Sequence, residues 1–232
     1  MKKMVSLMLV LTLILCAAAC PAMAAGKMTV QQENFHVVDS YGVYGYGFAR
    51  VENTGDKPVV FSAGLLEIYD ANGDTLTSTD YISYYPDVLQ PGDVGYIFSY
   101  DSVDDAESID DVDDYMLTVT GKSTDNEVVR YPATGSFQEN VQISEYSSAN
   151  YISAEITNDT DETVYDMDVV IALLDAEGNI MMVENNAFYN VGVTPGSTIT
   201  YRREVYDSWY EAWAREGLTP AQVEVIAFTE TW

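Results

Sequence analysis

Leu66-Glu67-Ile68-Tyr69-Asp70-Ala71-Asn72-Gly73 and Ile171-Ala172-Leu173-Leu174-Asp175-Ala176-Glu177-Gly178 are two versions of the stretch that decides the fold. In each version two large apolar side chains lie two positions apart, and residues with this spacing share one face of a β-strand. Each stretch ends in Asp-x-x-Gly, where Asp favours the first position of a type I turn and Gly accepts the left-handed backbone that follows. We therefore predict two core strands that each run into a hairpin turn. The residues predicted to be buried are Leu66, Ile68, Ile171 and Leu173, and those predicted at positive φ are Gly73 and Gly178.

The repetition extends over most of the chain. Further pairs of landmarks keep the same order and an offset of 104 to 106 residues. They are Gln32-Glu33-Asn34 with Gln138-Glu139-Asn140, Asn53 with Asn158, Pro91-Gly92 with Pro195-Gly196, and Tyr100-Asp101-Ser102 with Tyr206-Asp207-Ser208. Such regular spacing indicates two copies of one module of about a hundred residues, which is an ordinary domain size.

Short runs of aromatic and β-branched residues, separated by turn signals, are typical of a β-sandwich. We therefore predict a mainly β protein of two tandem immunoglobulin-like antiparallel β-sandwiches, at residues 28–131 and 136–232. Each is expected to carry a short helical insertion before its last strands, and residues 28–121 and 136–230 are expected to superpose. The Pro- and Gly-containing stretch 131–135 is predicted to link the two modules.

In the second module the helical insertion is predicted at residues 208–217. Ser208-Trp209-Tyr210-Glu211 fits a capping box, in which the Ser side chain and the Glu side chain each bond the other residue's backbone N–H. The strand at 169–174 is apolar on both faces and needs a second cover. We expect the helix to pack over the outer side of this strand or of its sheet, in contact with Val170 or Leu174.

In the first module the insertion is predicted at Asp101–Asp114, as a short acidic amphipathic helix. Apolar residues recur there at every third position, among eight acidic residues. Several carboxylates together can attract a hard cation such as calcium. The alternative interpretation is a solvated acidic face, and the sequence assigns no metal ligand.

Residues 1–24 have the form of a secretory signal peptide. Two lysines precede the apolar run Val5–Ala19, and Ala22-Met23-Ala24 supplies the small residues of a cleavage site. We therefore expect an exported protein, secreted or associated with the cell envelope. Cys20 lies in a weak lipoprotein-type pattern that competes with this cleavage site, so a lipid anchor at Cys20 is the alternative.

The composition excludes several classes of protein. Both cysteines, Cys16 and Cys20, lie within the signal segment, so cleavage leaves no thiol for a disulfide or a nucleophile. The formal net charge of −27 repels nucleic acid and anionic lipid. No later apolar run reaches the ~18 residues that a membrane-spanning helix needs. We predict no nucleic-acid partner and no transmembrane segment in the mature chain.

Three elements of each module together resemble the FxLYD domain family, which are immunoglobulin-like modules of bacterial secreted and surface proteins. The elements are an Asn-containing turn after the second strand, the strand that ends in Asp-x-x-Gly, and the downstream Pro-Gly. The family's motif reads Leu66-Glu67-Ile68-Tyr69-Asp70 in the first copy and Ile171-Ala172-Leu173-Leu174-Asp175 in the second. The inserted helices are not part of the family pattern. The resemblance implies a fold and an envelope location, and it implies no catalytic residue.

Tyrosine is unusually frequent, with 18 residues in the chain. Aromatic side chains are favoured at interfaces and in sugar-binding platforms, and strand packing is their alternative role. The candidate binding surface consists of Tyr41, Tyr44, Tyr84, Tyr85, Trp209 and Trp213. Because Tyr84 and Tyr85 are adjacent, they are expected to point to opposite faces of a strand, with one of them exposed.

Residues for catalysis are scarce. His36 is the only histidine, and its position between Phe35 and Val37 predicts that it faces solvent. One histidine without a thiol does not readily form a zinc site or a His-based dyad. No pair among the 37 acidic residues is singled out as the carboxylates of a glycosidase. We predict no catalytic, cofactor or metal site.

The leading hypothesis from the sequence is a non-catalytic exported protein that acts as an adhesion, scaffold or accessory binding module at the bacterial envelope. Its expected partner is a protein or glycan ligand at the cell surface, and no cofactor is expected. The alternatives are a secreted glycan-active enzyme and a calcium-binding surface protein that uses the acidic segment 101–114.

Overall fold

The computed structural model describes residues 25–231 and confirms a mainly β protein, with 62% strand and 6% helix. Residues 1–24, which hold the predicted signal peptide and both cysteines, lie outside the described residues, as does Trp232. The strands of the first half are β1 (Met28–Asp39), β2 (Val43–Asn53), β3 (Val59–Tyr69), β4 (Thr75–Thr79), β5 (Ser83–Tyr85), β6 (Val88–Leu89), β7 (Val94–Ser102) and β8 (Asp114–Ser123). Those of the second half are β9 (Glu127–Tyr131), β10 (Ala133–Ser144), β11 (Ser147–Thr157), β12 (Met167–Leu174), β13 (Ile180–Phe188), β14 (Thr198–Val205) and β15 (Gln222–Thr231).

Within residues 25–231 all the strands pair antiparallel, in four sheets. In the first half one sheet has the order β1–β2–β7–β5, and in the other β3 pairs with β4 and β6 along one edge and with β8 along the other. In the second half the sheets have the orders β10–β11–β14 and β13–β12–β15–β9. The pairings β1–β2, β2–β7, β3–β4 and β3–β8 have counterparts in β10–β11, β11–β14, β12–β13 and β12–β15.

The two halves differ at their sheet edges. In the first half the chain leaves β4 and crosses to the free edge of β7 as β5, whereas β13 stays beside β12 along its whole length. Strand β9 pairs with β15, the last strand of the described residues. The stretch 131–135, predicted to be a linker, therefore lies within or between paired strands.

The Asp-x-x-Gly turns form as predicted. Gly73 has φ +81° and Gly178 has φ +88°, which confirms the positive φ expected at both positions. In the first turn Asp70 Oδ1 accepts hydrogen bonds from the backbone N–H groups of Asn72 and Asp74, at 2.9 and 2.8 Å. These bonds hold the pKa of the Asp70 carboxyl below its ordinary value. The carboxylate thus fixes the turn that Gly73 permits.

One buried asparagine joins strands in each half, and the two asparagines occupy corresponding positions. Asn53 Nδ2 donates to the backbone oxygens of Lys57 and Leu89, both at 2.8 Å. Asn158 Nδ2 donates to those of Glu162 and Val193, at 2.8 and 2.7 Å. Both side chains are fully buried, so their repetition in the sequence reflects satisfied backbone groups rather than a shared active site.

Each half has its own apolar core, and a third cluster joins them. Leu66, Ile68, Ile171 and Leu173 are each 0% exposed, which confirms their predicted burial. In the third cluster Phe48 of β2 and Tyr96 of β7 pack with Val170 and Ala172 of β12. The outer face of β12 is therefore covered by the first half, along a boundary that we call the seam. The helix at 208–217, predicted as the cover, packs on the same cluster through Trp209, and the first half supplies the rest of the cover.

The helix in the second half, α1, spans Asp207–Glu216 and ends at Gly217, whose φ is +72°. Its existence is confirmed, but the predicted capping box is wrong. The N-cap is Tyr206, which makes no side-chain cap hydrogen bond. Ser208 lies inside the first turn, because the N-cap lies two residues earlier than the capping-box pattern predicts.

The helix predicted at Asp101–Asp114 is also wrong. Strand β7 continues to Ser102, and only a short 3₁₀ helix forms, at Ile109–Asp111. Its capping box is made by Ser108 and Asp111. Apolar residues at every third position match the three-residue turn of a 3₁₀ helix, and Ser and Asp side chains bond the nearby backbone in competition with an α-helix.

Candidate functional site

A cleft of about 390 Å³ opens at the seam. One wall is the outer face of β2 and β7 together with Trp209 of α1, and the other consists of β13 and the end of β14. Its lining includes Tyr46, Phe98, Tyr100, Glu184, Arg203 and Trp209. The volume falls in the range of small-molecule sites, roughly 300–1,000 Å³.

Three rings form a continuous aromatic wall in this cleft. Tyr46 and Tyr100 are cross-strand partners on β2 and β7, and their rings stack with centroids 5.3 Å apart and 20° between the planes. The Trp209 ring lies 4.7 Å from that of Tyr46, tilted by 58°. Tyr100 remains 47% exposed. The wall therefore presents flat apolar area beside solvent.

The facing wall is charged. Arg203 Nε on β14 lies 3.5 Å from Glu184 Oε1 on β13. Burial raises the pKa of the Glu184 carboxyl, and the positive charge of Arg203 opposes that shift. Burial also raises the pKa of Tyr46 to about 12, and the neighbouring Tyr100, Tyr44 and Glu184 add to the shift. Tyr46 thus keeps its hydroxyl proton at neutral pH, within the electrostatic reach of the Glu184 carboxyl group.

The six aromatic residues predicted as one binding surface do not come together. Tyr41 is fully exposed in the β1–β2 turn, with φ +59°, and Tyr44 is half-buried beside it. Both line a separate recess of about 360 Å³. Of the six, Trp209 alone lines the cleft.

Tyr84 and Tyr85 are both half-buried, so the expectation that one of them is exposed is wrong. Tyr84 stacks on Phe61, with centroids 4.2 Å apart. Tyr85 stacks on Phe98 at 6.1 Å and lies 6.3 Å from Phe228 of the second half. Both faces of β5 are covered, because Tyr84 packs on the first core and Tyr85 packs at the seam.

Trp213 is 1% exposed and cannot belong to a surface. It packs into the core of the second half, and its Nε1 donates to the backbone oxygen of Met181 at 3.1 Å. The sequence pattern places Trp209 and Trp213 on one helix face, but that face is buried at Trp213 and reaches the cleft only at Trp209.

His36 is buried, and its predicted solvent exposure is wrong. Its Nδ1 lies 2.7 Å from Glu216 Oε2, and its Nε2 lies 3.0 Å from the backbone oxygen of Ile180. The face of β1 that carries His36 does point away from the first core, but the end of α1 and the start of β13 cover it. The histidine is thus part of the seam.

Three carboxyl groups meet at another place on the seam. The backbone N–H of Asp87 donates to Glu230 Oε1 at 2.9 Å. Burial, with the charges of Asp87 and Asp166, raises the pKa of Asp168 to about 6. Burial, with the charges of Asp87 and Asp168, raises the pKa of Glu230 to about 7. Asp168 and Glu230 therefore hold their protons to higher pH than exposed carboxyl groups do.

Among residues 25–231, no group of three or more His, Cys, Asp or Glu side chains is placed to hold a metal ion. In the acidic segment, Asp111 Oδ2 accepts from the backbone N–H groups of Glu107 and Ser108, at 2.9 and 2.8 Å. Asp101 Oδ2 accepts from Thr77 Oγ1 at 3.2 Å. No helix in the described part of the chain is long and apolar enough to cross a membrane.

Sequence reasoning missed Tyr100, Glu184 and Arg203 as parts of a site. A signal for the aromatic wall was present, because Tyr44, Tyr46 and Phe48 alternate on one strand face and Tyr100 lies on the strand paired with it. Glu184 and Arg203 gave no such signal. They meet the aromatic wall only because the two halves dock.

No protein-family model matches the chain, and no curated protein matches it. Among solved structures, the β-glucuronidase of Bacteroides uniformis is 10% identical, with 88% of this chain and 32% of that chain covered and a TM-score of 0.24. The T=1 particles derived from infectious bursal virus give 11% identity, with 92% and 66% covered and a TM-score of 0.20. This chain thus spans about a third of the glucuronidase's length. At such TM-scores neither likeness indicates a shared fold or function.

Proposed function

We propose that this chain is a non-catalytic binding module exported to the bacterial envelope, where it serves as an adhesion, scaffold or accessory component. In this proposal the chain consists of two immunoglobulin-like sandwiches of the FxLYD type. The order of strand pairings common to the two halves supports the repeat, and the signal-like composition of residues 1–24 supports export.

The observation that carries the proposal is the cleft at the seam. It is concave, it is lined by aromatic rings, and a few polar groups converge in it, which is the usual build of a ligand site. The rings of Tyr46, Tyr100 and Trp209 come from both halves of the chain. Docking of the halves therefore creates the site, which gives the repeated architecture a role in binding.

The experiment uses the protein purified after export from producing cells and labelled with a fluorophore. Its retention on isolated envelopes of the same bacterium is measured by sedimentation. Tyr100→Ala is expected to weaken retention about tenfold, because it removes the exposed ring of the wall. Tyr146→Ala is the matched control, since Tyr146 is 91% exposed in the β10–β11 turn, outside the cleft. Equal retention of the wild type and Tyr100→Ala, or no retention of either, would contradict the proposal.

A second candidate is a glycan-active enzyme, and the carboxyl cluster at the seam is the observation that favours it. Glycosidases use one carboxyl group that keeps its proton near neutral pH beside a second that is ionised. Asp168 and Glu230 have raised pKa values of about 6 and 7. Release of reducing sugar from envelope polysaccharide by the wild type, lost in both Asp168→Asn and Glu230→Gln, would establish this activity in place of the binding role.

A further inference from the structure

We infer that the cleft at the seam binds a neutral oligosaccharide, with one pyranose ring stacked on Tyr100. This inference rests on the proposed binding function and names its ligand class. The shape of the aromatic wall, the polar groups opposite it and the charge of the chain support it.

The aromatic wall is a preformed stacking platform. Tyr100 is held by its parallel stack on Tyr46, and Tyr46 is held on another side by Trp209. Tyr100 is nevertheless 47% exposed. A ring fixed in this way loses little side-chain entropy when a ligand binds. The C–H face of a pyranose ring is flat and apolar, and it covers such a ring without leaving a polar group unpaired.

The facing wall matches the rim of a sugar. Glu184 offers acceptor oxygens, Arg203 offers donors, and Asn185, which also lines the cleft, offers both. Each sugar hydroxyl is at once a donor and an acceptor, so a ring on Tyr100 can satisfy this mixed set. The 3.5 Å separation between Arg203 Nε and Glu184 Oε1 exceeds that of a close hydrogen-bonded pair. Both groups therefore retain capacity for a ligand.

The charge of the site selects against acidic ligands. The chain carries a formal net charge of −27, and Glu184 and Glu204 both line the cleft, so an acidic polysaccharide is repelled. A neutral glycan is not repelled, and its apolar faces use the aromatic wall.

Binding is measured by titration of intrinsic tryptophan fluorescence, because Trp209 lies 4.7 Å from the ring on which Tyr100 stacks. The probes are cellotetraose, mannotetraose and N-acetylchitotetraose, with polygalacturonate as the acidic comparison. At least one neutral probe is expected to bind. Tyr100→Ala should weaken that binding about tenfold, and Tyr100→Phe should stay within about twofold because it keeps the stacking face. Tyr146→Ala is expected to bind like the wild type.

A second readout separates this inference from the proposed function. Envelopes are treated with periodate, which destroys sugar rings, or with proteinase, and retention of the labelled protein is measured. Retention lost after periodate but not after proteinase supports the inference. Retention lost only after proteinase, or no binding of any neutral probe, overturns the glycan ligand and leaves a protein-binding module. If untreated envelopes retain nothing, the proposed function itself fails.

Discussion

At the scale of residues, the two halves of the sequence match where the backbone needs a particular side chain. Gly73 and Gly178 were predicted at positive φ from Asp-x-x-Gly alone, because that turn leaves little other choice. The burial of His36 was not predictable in the same way. Alternation along β1 gives the face on which a side chain lies, but the cover on that face comes from residues more than a hundred positions away.

Gly178→Val is expected to lower the free energy of unfolding by roughly 1–2 kcal/mol. A Cβ at this position meets no atom within 4 Å, so the cost comes from the left-handed backbone and not from a clash. Urea denaturation of the wild type and the variant measures it. Glu177→Val in the same turn is the control and should change stability by less; an equal change in both variants would contradict the backbone explanation.

At the scale of elements, the sequence predicted strands and their turns better than helices. The helix at 208–217 was expected from a capping box, and it forms at Asp207–Glu216 without one. The segment 101–114 was expected to be a helix, and its capping box closes only a 3₁₀ turn. In short acidic segments, the spacing of apolar residues and the capping residues do not decide between an α-helix and a 3₁₀ turn. Side-chain hydrogen bonds to the nearby backbone compete with the α-helix there.

The two serines give a paired test of helix capping. Ser108→Ala removes an N-cap and should destabilise the protein by about 0.5–1 kcal/mol. Ser208→Ala removes no cap hydrogen bond, and a smaller effect is expected. Thermal unfolding of both variants in the same buffer gives the comparison. A larger loss in Ser208→Ala would mean that the sequence-predicted capping box of α1 forms in solution.

Trp213→Ala should be among the most costly changes in α1. The ring is 1% exposed and bonded to Met181, so its removal leaves a cavity and an unpaired carbonyl, at a cost of roughly 3–5 kcal/mol. Denaturant unfolding followed by circular dichroism measures this loss. Glu211→Ala, on the exposed face of the same helix, is the control and is expected to change stability little. A loss below about 1 kcal/mol in Trp213→Ala would contradict the buried position.

At the scale of the whole molecule, the sequence predicted the strand-rich architecture, but it did not predict the seam. Val170 and Ala172 face away from the core of the second half, and that much is visible in the sequence as a strand apolar on both faces. Which element covers them depends on how the halves dock. The candidate cleft shares this dependence, because its walls come from strands far apart in the chain.

The seam is expected to lose stability as pH rises. Asp168 and Glu230 have pKa values of about 6 and 7 in the folded chain, above the ordinary values of about 4 for unfolded Asp and Glu. The folded state therefore binds more protons. Its stabilisation is complete below pH about 4 and is lost as pH rises through about 6 to 7.

Thermal midpoints measured between pH 5 and pH 8 test this sign. Asp168→Asn removes one of the titrating groups and should flatten the pH dependence, whereas Asp161→Asn in an exposed loop should follow the wild type. A midpoint that rises with pH over this interval would contradict the assignment.

The pairing of β9 with β15 affects the order in which the second half can fold during synthesis. A chain is synthesised from its N-terminus, so β9 is made roughly a hundred residues before the strand it pairs with. During that interval the edge that β15 will cover is open, and an open strand edge readily pairs with other chains. Tyr131 ends β9 and belongs to the core of the second half, so its packing is also incomplete until β15 is made. The first half has all of its paired strands once Ser123 is made, whereas the second half closes only once β15 is made.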